Sequence, residues 1–130
     1  MSQQSLRTPL GRVRGLGSAK DGTHHWWLQR LTAIALAPLC VWLAASLASL
    51  AGAGWREVAD WLASPLSALA MILLLVGLFW HLKLGLQVVI EDYVHGEAMK
   101  MTLLVANTFV CIVFAGAGIL SVLRLLMTGG

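Results

Sequence analysis

Three long apolar stretches predict an all-α membrane protein with three transmembrane helices. Hydrophobic side chains make up 58% of the 130 residues and charged ones only 12%, far from the balance of a soluble globular domain. Residues 31–55, 62–82 and 101–123 each exceed twenty residues without one Asp, Glu, Lys or Arg. At about 1.5 Å per residue, each stretch can cross a hydrocarbon core of about 30 Å as a helix.

The lengths of the connections predict a single bilayer domain. We assign residues 1–28 to a basic N-terminal arm and residues 29–128 to the three-helix anchor, with spans at about 29–52, 64–90 and 100–126. The short loops leave no material for a separate folded head. Any soluble chemistry must therefore belong to partner chains.

The N-terminal arm has two interpretations. The first apolar stretch begins thirty residues in and is too long for a signal-peptide core, which favours a retained span. Residues 1–20 are rich in Arg and Ser and lack acids, as in a mitochondrial transit peptide, but Pro9, Gly11, Gly15 and Gly17 oppose the amphipathic helix that such peptides form. We favour a basic cytoplasmic arm.

The distribution of positive charge predicts the orientation. Five of the nine Lys and Arg residues precede or begin the first span, whereas the next loop holds only Arg56. The positive-inside rule then places the N-terminus in the cytoplasm, the second loop (residues 91–100) on the same side, and Gly130 outside. The expected location is the bacterial inner membrane, with the mitochondrial inner membrane as the second possibility.

The elements follow in order from local signals. Residues 21–23 resemble a capping cluster, so we expect helix one to start after them. Trp55 and Trp61 flank charged residues in the outer loop, which is typical of a short interfacial helix. Pro65 suits the first turn of helix two. Small residues recur in all three spans and permit close helix packing, so we expect the chain to be part of a larger, hetero-oligomeric helical bundle.

Helix two carries a histidine at a depth where polar groups are costly. His81 lies about ten residues from the predicted cytoplasmic end, hence about 15 Å deep. At about 100° per residue, Gly77 and Gly85 lie one turn to either side, and Asp92 follows on nearly the same line. One face therefore carries glycine, histidine, glycine and carboxylate.

This face suits a haem, although the residues alone leave other uses open. A macrocycle ligated by His81 must lie near the helix surface, where bulky neighbours would obstruct it. Alternatively, His81 hydrogen-bonds another helix while the glycines serve packing, or it belongs to a proton path. One histidine supplies one axial ligand, so a six-coordinate haem needs a second ligand from another chain.

Polar residues gather at the predicted cytoplasmic rim. Arg30 could pair with a haem propionate or reach lipid phosphate, and His24 and His25 have the same alternatives. Tyr93, beside Asp92, could donate a hydrogen bond to a quinone carbonyl or serve as an interfacial anchor.

Two motifs resemble a known family. The stretch His81-Leu-Lys-Leu-Gly85, followed after six residues by Asp92-Tyr93, resembles the H-x3-G-x6-D-Y signature of the small, haem-binding (D-type) hydrophobic membrane anchor of succinate dehydrogenase, respiratory complex II. Residues 22–34, Gly-Thr-His-His-Trp-Trp-Leu-Gln-Arg-Leu-Thr-Ala-Ile, are similar to that family's first helix.

The resemblance implies a role in electron transfer from succinate to ubiquinone within the tricarboxylic acid cycle. His81 would be one axial ligand of a haem b shared with a companion three-helix cytochrome b subunit. Tyr93 and Asp92 would bind quinone, and Arg30 with His24 would face the propionates, the six-residue spacing favouring His24. FAD and iron-sulfur clusters would reside in a flavoprotein and an iron-sulfur subunit, so this chain has no complete active site. No nucleic-acid partner is expected.

Three alternatives remain at this stage. A fumarate reductase anchor would serve the reverse reaction. A small transporter or channel subunit would use His81 and Lys83 in a proton path, but the other helices carry no carboxylate to accompany them. A purely structural anchor would bind no haem.

Overall fold

The structure is a computed structural model that describes residues 20–129. Within that range it contains four helices and no strand: α1 (Lys20–Ser49), α2 (Trp55–Ala63), α3 (Pro65–Tyr93) and α4 (Glu97–Thr128). Helices α1, α3 and α4 are long and apolar enough to cross a membrane. The predicted all-α membrane fold, with a short helix in the first loop, is confirmed. The choice between a basic arm and a transit peptide concerns residues 1–19, which lie outside the described residues.

The long helices extend beyond the stretches that lack charge. Helix α1 begins at Lys20, so the prediction that residues 21–23 precede the helix is wrong. Helix α3 continues to Tyr93 and α4 begins at Glu97, which leaves only residues 94–96 between them. A helix satisfies its own backbone hydrogen bonds wherever it lies, while its polar side chains can reach water and headgroups. The lack of charge therefore marks the hydrocarbon-crossing part of a helix and not its ends.

Helix α2 closes the loop between α1 and α3. The backbone N–H of Gly54 donates to Glu57 Oε2 at 2.8 Å, which caps the first turn of α2. Ala59 is buried where α2 packs against α3 and α4. The ring of Trp61 stacks on Trp42 of α1 with centroids 5.5 Å apart. The short helix is thus attached to all three long ones.

Helix α3 is the central helix of the bundle. It packs against α1 on one side and α4 on the other, whereas α1 and α4 make no packing contact with each other in the described part of the chain. Phe79 stacks on Phe114 of α4 at 6.4 Å. The side-chain amide of Asn107 on α4 donates to the carbonyl of Lys83 at 3.0 Å. The three long helices therefore lie in an open row.

An open row buries little apolar surface within the chain. Few of the described residues are buried, and large apolar side chains along all three spans are exposed. In water such a surface would favour aggregation, but in a bilayer it contacts lipid tails or neighbouring helices. The open row therefore fits a chain that completes its packing with other membrane subunits.

The contact between α3 and α4 depends on a glycine. A Cβ atom at Gly118 would lie 3.0 Å from Leu75 Cδ1, whereas one at Gly116 would meet nothing within 4 Å. We expect Gly118→Val to destabilise the helix pair by about 1–3 kcal/mol, because overpacking forces the neighbouring side chain and helix to shift. The measurement is unfolding of the purified chain in detergent. The matched control, Gly116→Val, should unfold like the wild type, and equal losses in both variants would contradict the assigned contact.

Candidate functional site around His81

His81 lies on the side of α3 that faces α1. Its Nδ1 atom is 3.1 Å from the hydroxyl oxygen of Thr32 on α1. The same hydroxyl lies 2.8 Å from the carbonyl of Leu28 and 3.0 Å from that of Gln29, within hydrogen-bonding distance of its own helix. One Thr side chain thus connects the backbone of α1 to the imidazole of α3.

An open groove of about 510 Å³ runs beside the imidazole. Ala33 and Ala37, one turn apart on α1, form its wall, and their small side chains leave the space open. Arg30 lines the same groove one turn before Ala33, towards the N-terminus of α1. The groove therefore combines an imidazole, an apolar wall and a cation at one end. Its full lining is Gln29, Arg30, Ala33, Ile34, Ala37 and His81.

The two glycines that flank His81 face helix α1. A Cβ atom at Gly77 would lie 3.4 Å from Leu36 Cδ2, and one at Gly85 would lie 3.9 Å from Gln29 Nε2. These are ordinary van der Waals distances, so a Cβ atom would fit at either position, and the two glycines mark where α1 packs on α3. The free space beside His81 arises from the alanines of α1 and not from the glycines.

The cation at the end of the groove is held by an aromatic ring. The guanidinium carbon of Arg30 lies 4.8 Å from the ring centroid of Trp26, within the range of a cation–π interaction. Trp26 in turn packs edge-to-face against Trp27, with centroids 5.1 Å apart. The Trp26 ring holds Arg30 on the groove side of α1.

The two histidines of the rim occupy different environments. His24 is exposed and lies six residues before Arg30, about 120° away from it around the helix, so the structure does not bring these two side chains together. His25 is partly buried, and its Nε2 atom is buried without a hydrogen-bond partner among the described residues. Gln29 Oε1, one turn further along, is likewise buried without a hydrogen-bond partner among the described residues.

Asp92 and Tyr93 lie at the end of α3, away from His81. Both are exposed in the last turn of α3, and 78% of the Tyr93 surface is accessible. Eleven residues separate Asp92 from His81, which is about 16 Å along the helix axis. The imidazole within the span and the phenol and carboxylate at the helix end are therefore separate groups on one rigid element.

Sequence reasoning identified Arg30 but missed the other residues that α1 contributes to the groove. Thr32 is a polar residue early in the first span, and Ala33 and Ala37 are small residues at helical spacing. Those signals were present, but their relation to His81 required the register of α1 on α3. That register is set by contacts such as Leu36 against Gly77, which no single helix reveals.

Lys83 lies on the opposite side of α3. It lines a separate groove of about 300 Å³ with residues of α4, including Asn107 and Thr108. Its ammonium group lies 5.4 Å from the ring centroid of Trp80. Two residues of helix turn through about 200°, which is why His81 faces α1 while Lys83 faces α4.

Comparison with known proteins connects this arrangement to one family. A sequence model of the family described as "Succinate dehydrogenase/Fumarate reductase transmembrane subunit" matches residues 4–115. The chain is 34% identical over 109 residues to the succinate dehydrogenase hydrophobic membrane anchor subunit of Rickettsia conorii, covering 83% of this chain and 86% of the relative.

Two further relatives have similar names. The chain is 35% identical over 85 residues to the succinate dehydrogenase membrane anchor subunit of Reclinomonas americana, covering 63% of this chain and 71% of the relative. It is 29% identical over 110 residues to the hydrophobic membrane anchor subunit of succinate dehydrogenase from Paracoccus denitrificans, covering 85% of each chain. The similarity thus extends over most of the anchor and includes both motif regions.

Proposed function

The chain belongs to the succinate dehydrogenase/fumarate reductase transmembrane subunit family, and from that premise we propose that it supplies one axial ligand to a haem b and part of a ubiquinone-reduction site. The observation that carries the proposal is the groove between α1 and α3, which presents the imidazole of His81 beside an apolar wall with Arg30 at one end. The relatives reported above are named as succinate dehydrogenase subunits, which favours succinate oxidation over fumarate reduction.

The residues of the groove fit a haem. His81 uses Nδ1 towards Thr32, which leaves Nε2 as the ring nitrogen that would coordinate the iron. Within residues 20–129 no group of three or more His, Cys, Asp or Glu side chains could hold a bare metal ion. A haem needs fewer protein ligands than a bare metal ion, because its macrocycle supplies four nitrogens. When bound, haem supplies one-electron chemistry, and His81 contributes orientation and basicity.

The charged end of the groove suits propionates. Arg30 presents its guanidinium beside the apolar wall, where it would form a charge-assisted hydrogen bond with a propionate. His24, exposed on another flank of α1, remains a predicted second propionate contact. The neutral wall and the cationic end match the apolar ring and anionic edge of a haem.

The quinone part of the proposal depends on Tyr93 and Asp92. An exposed phenol at the end of a transmembrane helix can donate a hydrogen bond to a quinone carbonyl that approaches from the interface. Asp92 beside it would hold a cation of the companion subunit near the same carbonyl. Electrons would arrive from an iron-sulfur subunit on that side of the membrane.

The remaining machinery belongs to partners. FAD and the iron-sulfur clusters would reside in a flavoprotein and an iron-sulfur subunit, and a companion three-helix cytochrome b subunit would give the second haem ligand. The open row of helices leaves large apolar faces for such a companion. The proposed location is the inner membrane with the N-terminus in the cytoplasm.

The geometry weakens the transporter alternative. A proton path that used both His81 and Lys83 would require them on one side of α3. His81 contacts α1 and Lys83 contacts α4, so the body of α3 separates the two side chains. We therefore favour cofactor binding for His81.

Filling the groove should displace haem without disturbing the helix. We expect Ala37→Phe to reduce the haem content of the purified complex several-fold, because the ring would occupy the space beside His81. The matched control is Ala35→Phe, at similar depth on an exposed position that does not line the groove. The measurement is haem per flavin from dithionite-reduced minus oxidised spectra. Full haem content in the Ala37→Phe complex would count against the assigned groove.

Removing the phenol hydroxyl should separate two activities. Tyr93→Phe keeps the ring but cannot donate to a quinone carbonyl, so we expect quinone reduction by succinate to fall at least tenfold. Succinate oxidation with a soluble artificial acceptor should survive, since the flavoprotein is untouched. Parallel loss of both activities would indicate a disrupted assembly and contradict the role of Tyr93.

Reporter fusions test the orientation. Alkaline phosphatase is active only outside the cytoplasm, so we expect activity when it follows Gly130 and none when it follows His95 in the loop between α3 and α4. Green fluorescent protein at the same two positions should give the opposite pattern. An inverted result for both reporters would place the quinone residues on the wrong side for cytoplasmic electron donors.

A further inference from the structure

We propose that Thr32 is a positioning residue that holds His81 with its proton on Nδ1, so that Nε2 keeps the lone pair a metal needs. The inference rests on the proposed haem ligation and goes beyond it, because it assigns a role to Thr32, which is neither the proposed ligand nor one of the polar residues at the cytoplasmic rim. The hydroxyl oxygen of Thr32 lies 3.1 Å from His81 Nδ1 and within hydrogen-bonding distance of two carbonyls of its own helix.

The direction of the hydrogen bond follows from counting protons. A Thr hydroxyl has one proton to donate and two lone pairs that accept. The proton is directed to the carbonyls of α1, of which Leu28 O is the nearest at 2.8 Å. The hydroxyl can then only accept from the imidazole, so Nδ1 of His81 is the donor. In a neutral imidazole with a proton on Nδ1, Nε2 carries the free lone pair.

The opposite arrangement is less favourable at this depth. If Thr32 donated to Nδ1, both α1 carbonyls would lose the hydroxyl proton, and the imidazole would carry its own proton on Nε2, the nitrogen that the iron needs. With the proton of Thr32 on a carbonyl of α1, the observed geometry satisfies both the hydroxyl and Nδ1.

The close packing of α1 on α3 makes this contact possible. Leu36 sits over Gly77 and Gln29 over Gly85, so the two helices approach one turn before and one turn after His81. Thr32 lies between those contacts on α1, as His81 lies between the glycines on α3. The contact between Thr32 and His81 therefore lies in the middle of the interface between α1 and α3.

An acceptor at Nδ1 also affects the electronic properties of the ligand. A hydrogen bond from Nδ1–H raises the basicity of Nε2, which favours the oxidised, more positive iron. Loss of the acceptor should therefore make the haem easier to reduce. That change is absent if Thr32 only fills space.

The experiment is a redox titration of the haem in the purified whole complex, with low-spin ferric EPR spectra of the same samples. We expect Thr32→Val, which removes the hydroxyl but preserves the shape, to shift the midpoint potential to more positive values and to change the EPR g values. Thr32→Ser restores the oxygen and should return both towards the wild type. Thr108→Val is the matched control: Thr108 also donates to a carbonyl one turn back, but it lies on α4 in the groove of Lys83.

The outcomes separate this inference from the proposed function. A wild-type complex without a b-type spectrum would overturn both. Normal haem in Thr32→Val with unchanged potential and g values would overturn the role of Thr32 alone, as would equal shifts in Thr32→Ser or Thr108→Val. Loss of haem in Thr32→Val, with retention in Thr32→Ser and Thr108→Val, would support a need for the hydroxyl.

Discussion

A histidine in the middle of an apolar helix needs a hydrogen-bond partner, because water is scarce at that depth and an unpaired polar group is costly. In this chain the partner is Thr32, and the contact can form only where α1 and α3 lie close together. Leu36 packs over Gly77 and Gln29 lies near Gly85, one turn to either side of that contact. The contact between α1 and α3 therefore determines both how the two helices pack and how the imidazole of His81 is oriented.

The central position of α3 separates two polar surfaces. One side meets α1 and carries His81, and the other meets α4 and carries Lys83, whose backbone carbonyl accepts from Asn107. Helix α4 therefore packs on the face of α3 opposite His81 and does not line the groove beside it. A substitution on α4 should influence stability more than the properties of the histidine, whereas a substitution on α1 can influence both.

The sequence revealed the residues of α3 better than their surroundings. His81, Asp92 and Tyr93 lie on one element whose periodicity is fixed, so their relative placement could be predicted from helical geometry alone. Apart from Arg30, the part contributed by α1 could not be predicted, since it depends on which residues of α1 oppose His81. The glycines illustrate the difference: their spacing around the histidine was visible, but whether they face a cofactor or a helix depended on the docking of α1.

The groove beside His81 lies between α1 and α3, with α4 on the far side of the bundle, so no described residue of α4 lines it. In the proposed function, the second ligand of the haem would come from the companion subunit and would approach past the alanines of α1. A companion helix that supplied the second ligand would also cover apolar surface that now lies exposed along the same helices. Binding of the cofactor and association of the subunits would then stabilise each other, because each buries surface that the other leaves open. In the proposed arrangement the haem site would be completed only on assembly, whereas the contact between Thr32 and His81 lies within this chain and does not need the companion.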